Sequence, residues 1–173
     1  MTATVPGLDL DSPPFDLLDA GQKARVAAAV DLGFHPGGTR LIEAGQASPH
    51  VFVILKGSVQ ASDPGSAGEE SRFAEYGPGD LFGAFAVIAG RARHRYTAVG
   101  DALCFLLPAA VFEALLAEND FERLFAFFDD PEGRAPQWLT DGVRAQYRAL
   151  WQQGLTGACN YYRASPLRPP RGD

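Results

Sequence analysis

A mainly β fold with flanking helices is what the sequence predicts, and three observations carry that reading. Between His35 and Leu107, short apolar runs alternate with Gly/Pro turns at spacings of roughly ten residues, the texture of an antiparallel sandwich or barrel. Helical periodicity is confined to the stretches on either side. At the centre lies Glu75 to Gly90, EYGPGDLFGAFAVIAG, where dense turn chemistry runs into a short apolar segment, with RARHRYTAVGD behind it.

In chain order, Met1 to Pro14 reads as a flexible arm, rich in proline and in small and acidic residues. From Phe15 to His35, Phe15, Leu18, Val26 and Val30 recur at roughly helical intervals; Asp19 is a candidate N-cap and Gly33 a candidate stop. Pro36-Gly37-Gly38 turns the chain, Arg40 to Glu43 alternates, and Gly45 to Pro49 turns it again. His50 to Leu55 is a β-rich run that ends at Lys56-Gly57; Ser58 to Ala61 continues as strand, Asp63 to Ser66 breaks it, and Phe73 to Tyr76 resumes. Thr97 to Leu107 supplies two further strands around Gly100-Asp101. Pro108 is placed to open a helix, and Ala109 to Phe128 carries a broad apolar stripe that includes Leu115, Leu116, Phe121, Leu124 and Phe125. Asp129 to Gly133 reads as an acidic linker, Trp138 to Gly154 as one more amphipathic helix, and SPLRPPRGD as a disordered tail.

The 173 residues, 46% hydrophobic and 21% charged, suit one globular domain with an extension. A net charge of −6 and no basic face argue against a general nucleic-acid binder. Cys104 and Cys159 lie far apart, without metal-ligand spacing, and no stretch approaches the ~18 apolar residues of a membrane span. The expectation is a cytoplasmic chain with reduced thiols and no metal. The adjacent carboxylates Glu69-Glu70 and Asp129-Asp130 fall in turn-like contexts that solvation explains, so they take no role.

In the central stretch, Pro78 fixes one φ, Gly77 and Gly79 allow positive φ, and Asp80 can bond its own backbone. Leu81-Phe82-Gly83 brings backbone close to what lies opposite. A turn followed by a short helix can offer free N–H groups to an anion, and Arg91, Arg93 and Arg95 follow at once. Two readings stand: a phosphate pocket, or a tight barrel corner with a solvated basic loop; spacing alone favours the second.

From Phe15 to Phe128 the order of motifs resembles the cyclic nucleotide-binding domain family. The sequence has a leading helix, RLIEAGQASPHVFVILKGSVQ with Gly57 as the closing glycine, YGPGDLFGAFAVI, an arginine stretch, then a β-pair and a helix. The resemblance implies an eight-stranded jelly roll with flanking helices, acting as a non-catalytic sensor of cyclic AMP or cyclic GMP. The phosphate cassette of the family corresponds to Gly79, Asp80, Leu81, Phe82 and Gly83. The chain departs from the family at the next position, where a Glu that holds the ribose 2′-hydroxyl is replaced by Ala84. A buried hydroxyl left without its partner costs about 1–3 kcal/mol, or roughly 5- to 150-fold in affinity. The family's phosphate-pairing Arg, counted back from Ala98-Val99-Gly100-Asp101, falls near Ala92, between Arg91 and Arg93, with Arg95 as a third candidate. The implied reading is a degenerate cassette that disfavours cyclic nucleotides.

Asp101 to Pro108, DALCFLLP, resembles a bacterial subgroup in which the domain accompanies CBS and nucleotidyltransferase-like modules. Asp141 to Arg163 resembles a cap fragment of α/β-hydrolases of the epoxide hydrolase type, with Tyr162 at the place of the epoxide-polarising tyrosine. No nucleophile elbow accompanies it, so Tyr161 and Tyr162 read as packing aromatics. Three functional classes follow: a regulatory module sensing a nucleotide or small anion, an interaction module, and a hydrolase remnant. In the first, the Pro108–Phe128 helix carries the signal to a protein partner. In the second, Phe121, Phe125, Phe127 and Phe128 bury against another subunit.

Overall fold

The computed structural model describes residues 5–63, 71–130 and 132–155. The chain divides into two compact units, Met1–Leu115 and Leu116–Asp173, so the division falls inside the helix that the sequence runs on to Phe128.

The first unit is the jelly roll. Its elements are α1 (Ala20–Ala29), β1 (Asp31–His35), β2 (Arg40–Ile42), β3 (His50–Lys56), β4 (Val59–Asp63), β5 (Ser71–Tyr76), β6 (Leu81–Phe82), α2 (Ala84–Ile88), β7 (Arg95–Ala98) and β8 (Ala102–Pro108). They form two four-stranded antiparallel sheets, β1-β8-β3-β6 and β2-β7-β4-β5. The mainly β class with flanking helices is therefore as the sequence predicts.

Strands β3 and β8 read as near-continuous apolar runs because both of their faces are buried. Phe52 and Ile54 on β3, with Ala102 and Cys104 on β8, enter an inter-sheet cluster with Ile42, Val59, Ala61, Phe82, Tyr96 and Ala98. Val51 and Val53, with Phe105 and Leu107, point the other way and meet Val26 of α1, Val87, Phe15 and Leu115. Within the segment expected as an arm, Leu8 is buried in this second cluster.

Asp19 caps α1 as expected: its carboxylate accepts from the Gln22 N–H at 2.9 Å, and the Gln22 side chain accepts from the Asp19 N–H at 3.0 Å. The helix stops at Val30, which is extended, and not at Gly33. Gly33 lies within β1 opposite Cys104, where a Cβ would come within 2.6 Å of Leu106 Cδ1; it is a glycine of close approach, not a helix terminator.

The second unit corrects the single-helix reading of Ala109–Phe128. Helix α3 (Ala109–Ala117) gives way to a 3₁₀ turn at Glu118–Phe121, followed by the short α4 (Glu122–Phe125) and another 3₁₀ turn, Ala126–Phe128. Asn119, Asp120 and Phe121 all have positive φ, between 52° and 64°. Helix α5 (Asp141–Trp151), capped by Thr140, holds this turn through Arg148, which pairs with Asp120 at 2.6 Å and with Glu122 at 2.8 Å. Phe121 and Phe125 are buried against Trp151, with ring centroids 5.6 and 4.7 Å apart, and Arg144 lies 4.7 Å from the Phe125 ring. These two phenylalanines, assigned above to a face for another subunit, are spent inside their own unit. The side chain of Phe127, and Cys159, Tyr161 and Tyr162 with the rest of the hydrolase-like motif, lie outside the described residues.

Among the described residues, no helix is long and apolar enough to cross a membrane, and no cluster of His, Cys, Asp and Glu could hold a metal ion.

Two stability tests follow from the inter-sheet core. Gly57 has a φ of +87°, and a Cβ there would lie 2.4 Å from the Asp101 carbonyl oxygen. Gly57→Ala should cost about 2 kcal/mol or more in urea denaturation, from left-handed strain plus a backbone clash. Burial pushes the Cys104 thiol up to about 11. In a Cys159→Ser background, Cys104 should therefore resist a thiol reagent at pH 8 until the chain is unfolded, with prompt reaction of the folded chain as the contrary result.

Candidate functional site

The cassette is suspended from β3 by its backbone. The Gly79 N–H donates to the Ile54 carbonyl at 2.7 Å, and the Ile54 N–H donates to the Asp80 carbonyl at 3.0 Å. Within the turn, Asp80 Oδ2 accepts from the Gly77 N–H at 2.7 Å, as its side chain was expected to do. Gly79 takes the positive φ that the turn needs, at 91°. Leu81 and Phe82 form β6 against Val53 and Phe52. Gly83, also left-handed at 85°, then lets the chain pass closely over β3: a Cβ would meet the His50 carbonyl oxygen and Ile42 Cδ1 at 3.2 Å each.

From Gly83 the chain enters α2, where Ala86 faces the inter-sheet cluster and Val87 the second one. Ala84 is half-buried and packs against the second cluster.

The arginine stretch does not act as a unit. Arg91 and Arg93 are exposed, whereas Ala92 between them is buried in the inter-sheet cluster. Ala92 is fixed on both sides of its peptide: its N–H donates to the Gln46 carbonyl at 2.6 Å, and its carbonyl accepts from the Gly45 N–H at 2.8 Å. Arg95 opens β7 and is not a solvated loop residue. Its Nε donates to Glu43 Oε2 at 3.0 Å, while Arg40 Nη1 donates to Glu43 Oε1 at 3.0 Å. The sequence reading missed Glu43, 52 residues from Arg95. It also missed His94, which is buried, 2.7 Å from Asp63 Oδ1, and stacked on Phe73 at 4.1 Å.

Beneath the cassette, four aromatic rings occupy the space between the sheets. Phe52 stacks on Phe82 at 4.8 Å, Phe82 on Tyr96 at 5.2 Å, and Tyr76 lies within 6.0 Å of both Phe82 and Tyr96. Burial, then the charge and hydrogen bond of Tyr76, push the Tyr96 phenol up to about 12, so it stays neutral across the physiological range.

The hydrogen bond from Arg95, helped by its charge and by Arg40, holds the Glu43 carboxyl below its ordinary 4.5. A carboxylate depressed in the folded state adds stability above the unfolded pKa and loses it as pH falls through the folded one. Glu43→Gln should therefore lower stability at pH 7 and flatten its loss between pH 5 and 3, measured by denaturant titration at each pH; an unchanged profile would show that the two arginines add nothing.

Comparison with known proteins agrees with this architecture. The family model described as a cyclic nucleotide-binding domain matches residues 34–119. Among solved structures, the regulatory domain of Toxoplasma gondii PKA, in co-crystal with cAMP, is 23% identical with a TM-score of 0.55, covering 63% of this chain and 42% of that one. The regulatory subunit of a cAMP-independent protein kinase A from Trypanosoma cruzi, bound to guanosine, is 20% identical with a TM-score of 0.59, covering 84% and 47%. The N-terminal domain of a transcriptional regulator from Streptomyces coelicolor A3(2) is 18% identical with a TM-score of 0.56, covering 95% and 98%. The chain thus spans less than half the length of the two kinase regulatory chains. No curated protein matches it. At these identities the structures speak for the fold, and the family model speaks for the segment it spans: residues 34–119 form a cyclic nucleotide-binding domain.

Proposed function

We propose that the chain is a non-catalytic, ligand-sensing regulatory module whose cassette has lost the two side-chain anchors for a cyclic nucleotide. One observation carries the reading. Ala92, near which the resemblance puts the phosphate-pairing arginine, is buried in the inter-sheet cluster while Arg91 and Arg93 are exposed, and Ala84 stands where it puts the ribose-binding glutamate. Arg95, the remaining candidate, is held by Glu43. A cyclic phosphate in the pocket would meet no facing guanidinium from these three, and its ribose hydroxyl no carboxylate at position 84. The nucleoside class fits better than the cyclic nucleotide class. The Trypanosoma cruzi regulatory subunit, with guanosine bound, is an instance of that chemistry on this fold. Output to a protein partner would pass through the segment after β8, in a cytoplasmic chain that works beside CBS and nucleotidyltransferase-like modules.

A second reading, the barrel as an interaction scaffold, is favoured by the stack of Phe52, Phe82, Tyr96 and Tyr76, which fills the space between the sheets with side chains. Thermal unfolding with a nucleotide and nucleoside panel separates the two. A ligand at ~100 times its Kd adds about 2.7 kcal/mol, a readable shift in the midpoint. Cyclic AMP and cyclic GMP should leave the midpoint unmoved and show no low-micromolar affinity by isothermal titration, while a nucleoside raises it. Low-micromolar binding of either cyclic nucleotide, abolished by Arg91→Ala or Arg93→Ala, would overturn the proposal. A panel with no shift at all would favour the scaffold.

A further inference from the structure

Four strands close the edges of the two sheets, and three of them are blunted. Strand β6 has two residues; β2 has three and a shifted register against β7; β5 also shifts register against β4 and carries Glu75. Such interruptions and charges keep an open edge from pairing with another chain. Strand β1 has no such interruption, and its one formal charge, Asp31, stands at its first residue. Its five residues, DLGFH, pair with β8 in unbroken register, and the strand contains no lysine, arginine or proline. Among the described residues, no strand pairs with its outer edge. Two large apolar side chains stand exposed on it, Leu32 at 57% and Phe34 at 62%.

Cross-strand partners lie on the same face, so Leu32 and Phe34, opposite Phe105 and Leu103, share one face of the sheet. Asp31, Gly33 and His35 share the other. The His35 Nε2 is buried and has no hydrogen-bond partner in the described structure.

We propose that β1 is a self-association edge, pairing antiparallel with β1 of a second copy of this chain about a two-fold axis at Gly33. A two-fold axis normal to the sheet keeps each face on its own side, so a symmetric pair must be centred on a residue. Of those registers, the one centred on Gly33 opposes all five residues. Leu32 of each copy then faces Phe34 of the other, and Asp31 faces His35, so apolar meets apolar twice and a carboxylate meets an imidazole twice. Centring on Leu32 or Phe34 breaks both sets of pairs. The facing carboxylate also gives the His35 ring a polar neighbour across the edge, and the two sheets join into one continuous sheet.

Sedimentation equilibrium of the full chain should give a dimer of twice the 18.5 kDa chain mass. Leu32→Lys and Phe34→Lys, each made separately at exposed positions, should raise the dimer dissociation constant about tenfold or more, because each change is repeated across the axis. Hydrogen exchange of the unaltered chain gives a readout that does not depend on a variant's folding: protection of the β1 amides should rise with protein concentration. Three results would overturn the proposal. They are a monomer at every concentration reached, a dimer indifferent to both lysine substitutions, and β1 amides equally protected in a dilute monomer, which would mean that the chain covers its own edge.

Discussion

The two-sided burial of β3 is the constraint on which the rest of the first unit depends. Phe52 and Ile54 build the space between the sheets, while Val51 and Val53 hold α1 and the preceding segment to the outside. A strand packed on both faces cannot slip by one residue without reversing every one of these contacts. Its register is consequently fixed, and so is everything bonded to it. Strand β8, its main partner, obeys the same rule, with Cys104 on one side and Phe105 and Leu107 on the other.

The cassette inherits its position from that register. Ile54 is 1% exposed, and its peptide both donates to Asp80 and accepts from Gly79. A turn tied to a fully buried residue in this way stays in place whatever occupies the site. That separates the geometry of the cassette from its chemistry: the glycines at 79 and 83 are required by φ and by close approach to β3, and they persist whether or not a phosphate is bound. Glycine spacing therefore reports the fold, and any ligand chemistry rests on the side chains around the turn.

This division explains what was legible in the sequence. The strand texture, the Asp19 cap and the Asp80 turn are local features, each encoded within a few residues, and each is found as read, while the apolar segment after Gly83 proves to be the short helix α2. The failures involve distant partners. Gly33 reads as a helix stop until β8, some 70 residues later, is seen to pair with it. The break at Asn119–Phe121 has no glycine or proline to announce it; α5 supplies Arg148 to hold Asp120 and Glu122, and aromatic burial of Phe121 and Phe125 offsets the strain of three left-handed residues. Arg91, Arg93 and Arg95 look alike in sequence, yet among the described residues Arg95 pairs with a carboxylate across the sheet, Glu43, while Arg91 and Arg93 are exposed. His94 stands in the same run, while its partner Asp63 closes a different strand.

A regulatory domain can shift a conformational equilibrium only by as much as its ligand's affinity differs between the two states. In a domain with a guanidinium facing a cyclic phosphate, most of that difference can come from one charge-assisted contact. The resemblance puts that place near Ala92, whose peptide is fixed by Gly45 and Gln46 in the turn between β2 and β3. On the proposed function, a ligand would draw its differential energy from the turn backbone and apolar contact, which are weaker per atom and less dependent on position than an ion pair. A neutral, flat ligand would then be favoured over one whose identity lies in a charge. Alanine at 84 and 92 extends the two apolar clusters. Under the proposed function, loss of the anchors and retention of the barrel are one fact seen from two sides: the positions that would recognise a cyclic nucleotide pack the core instead.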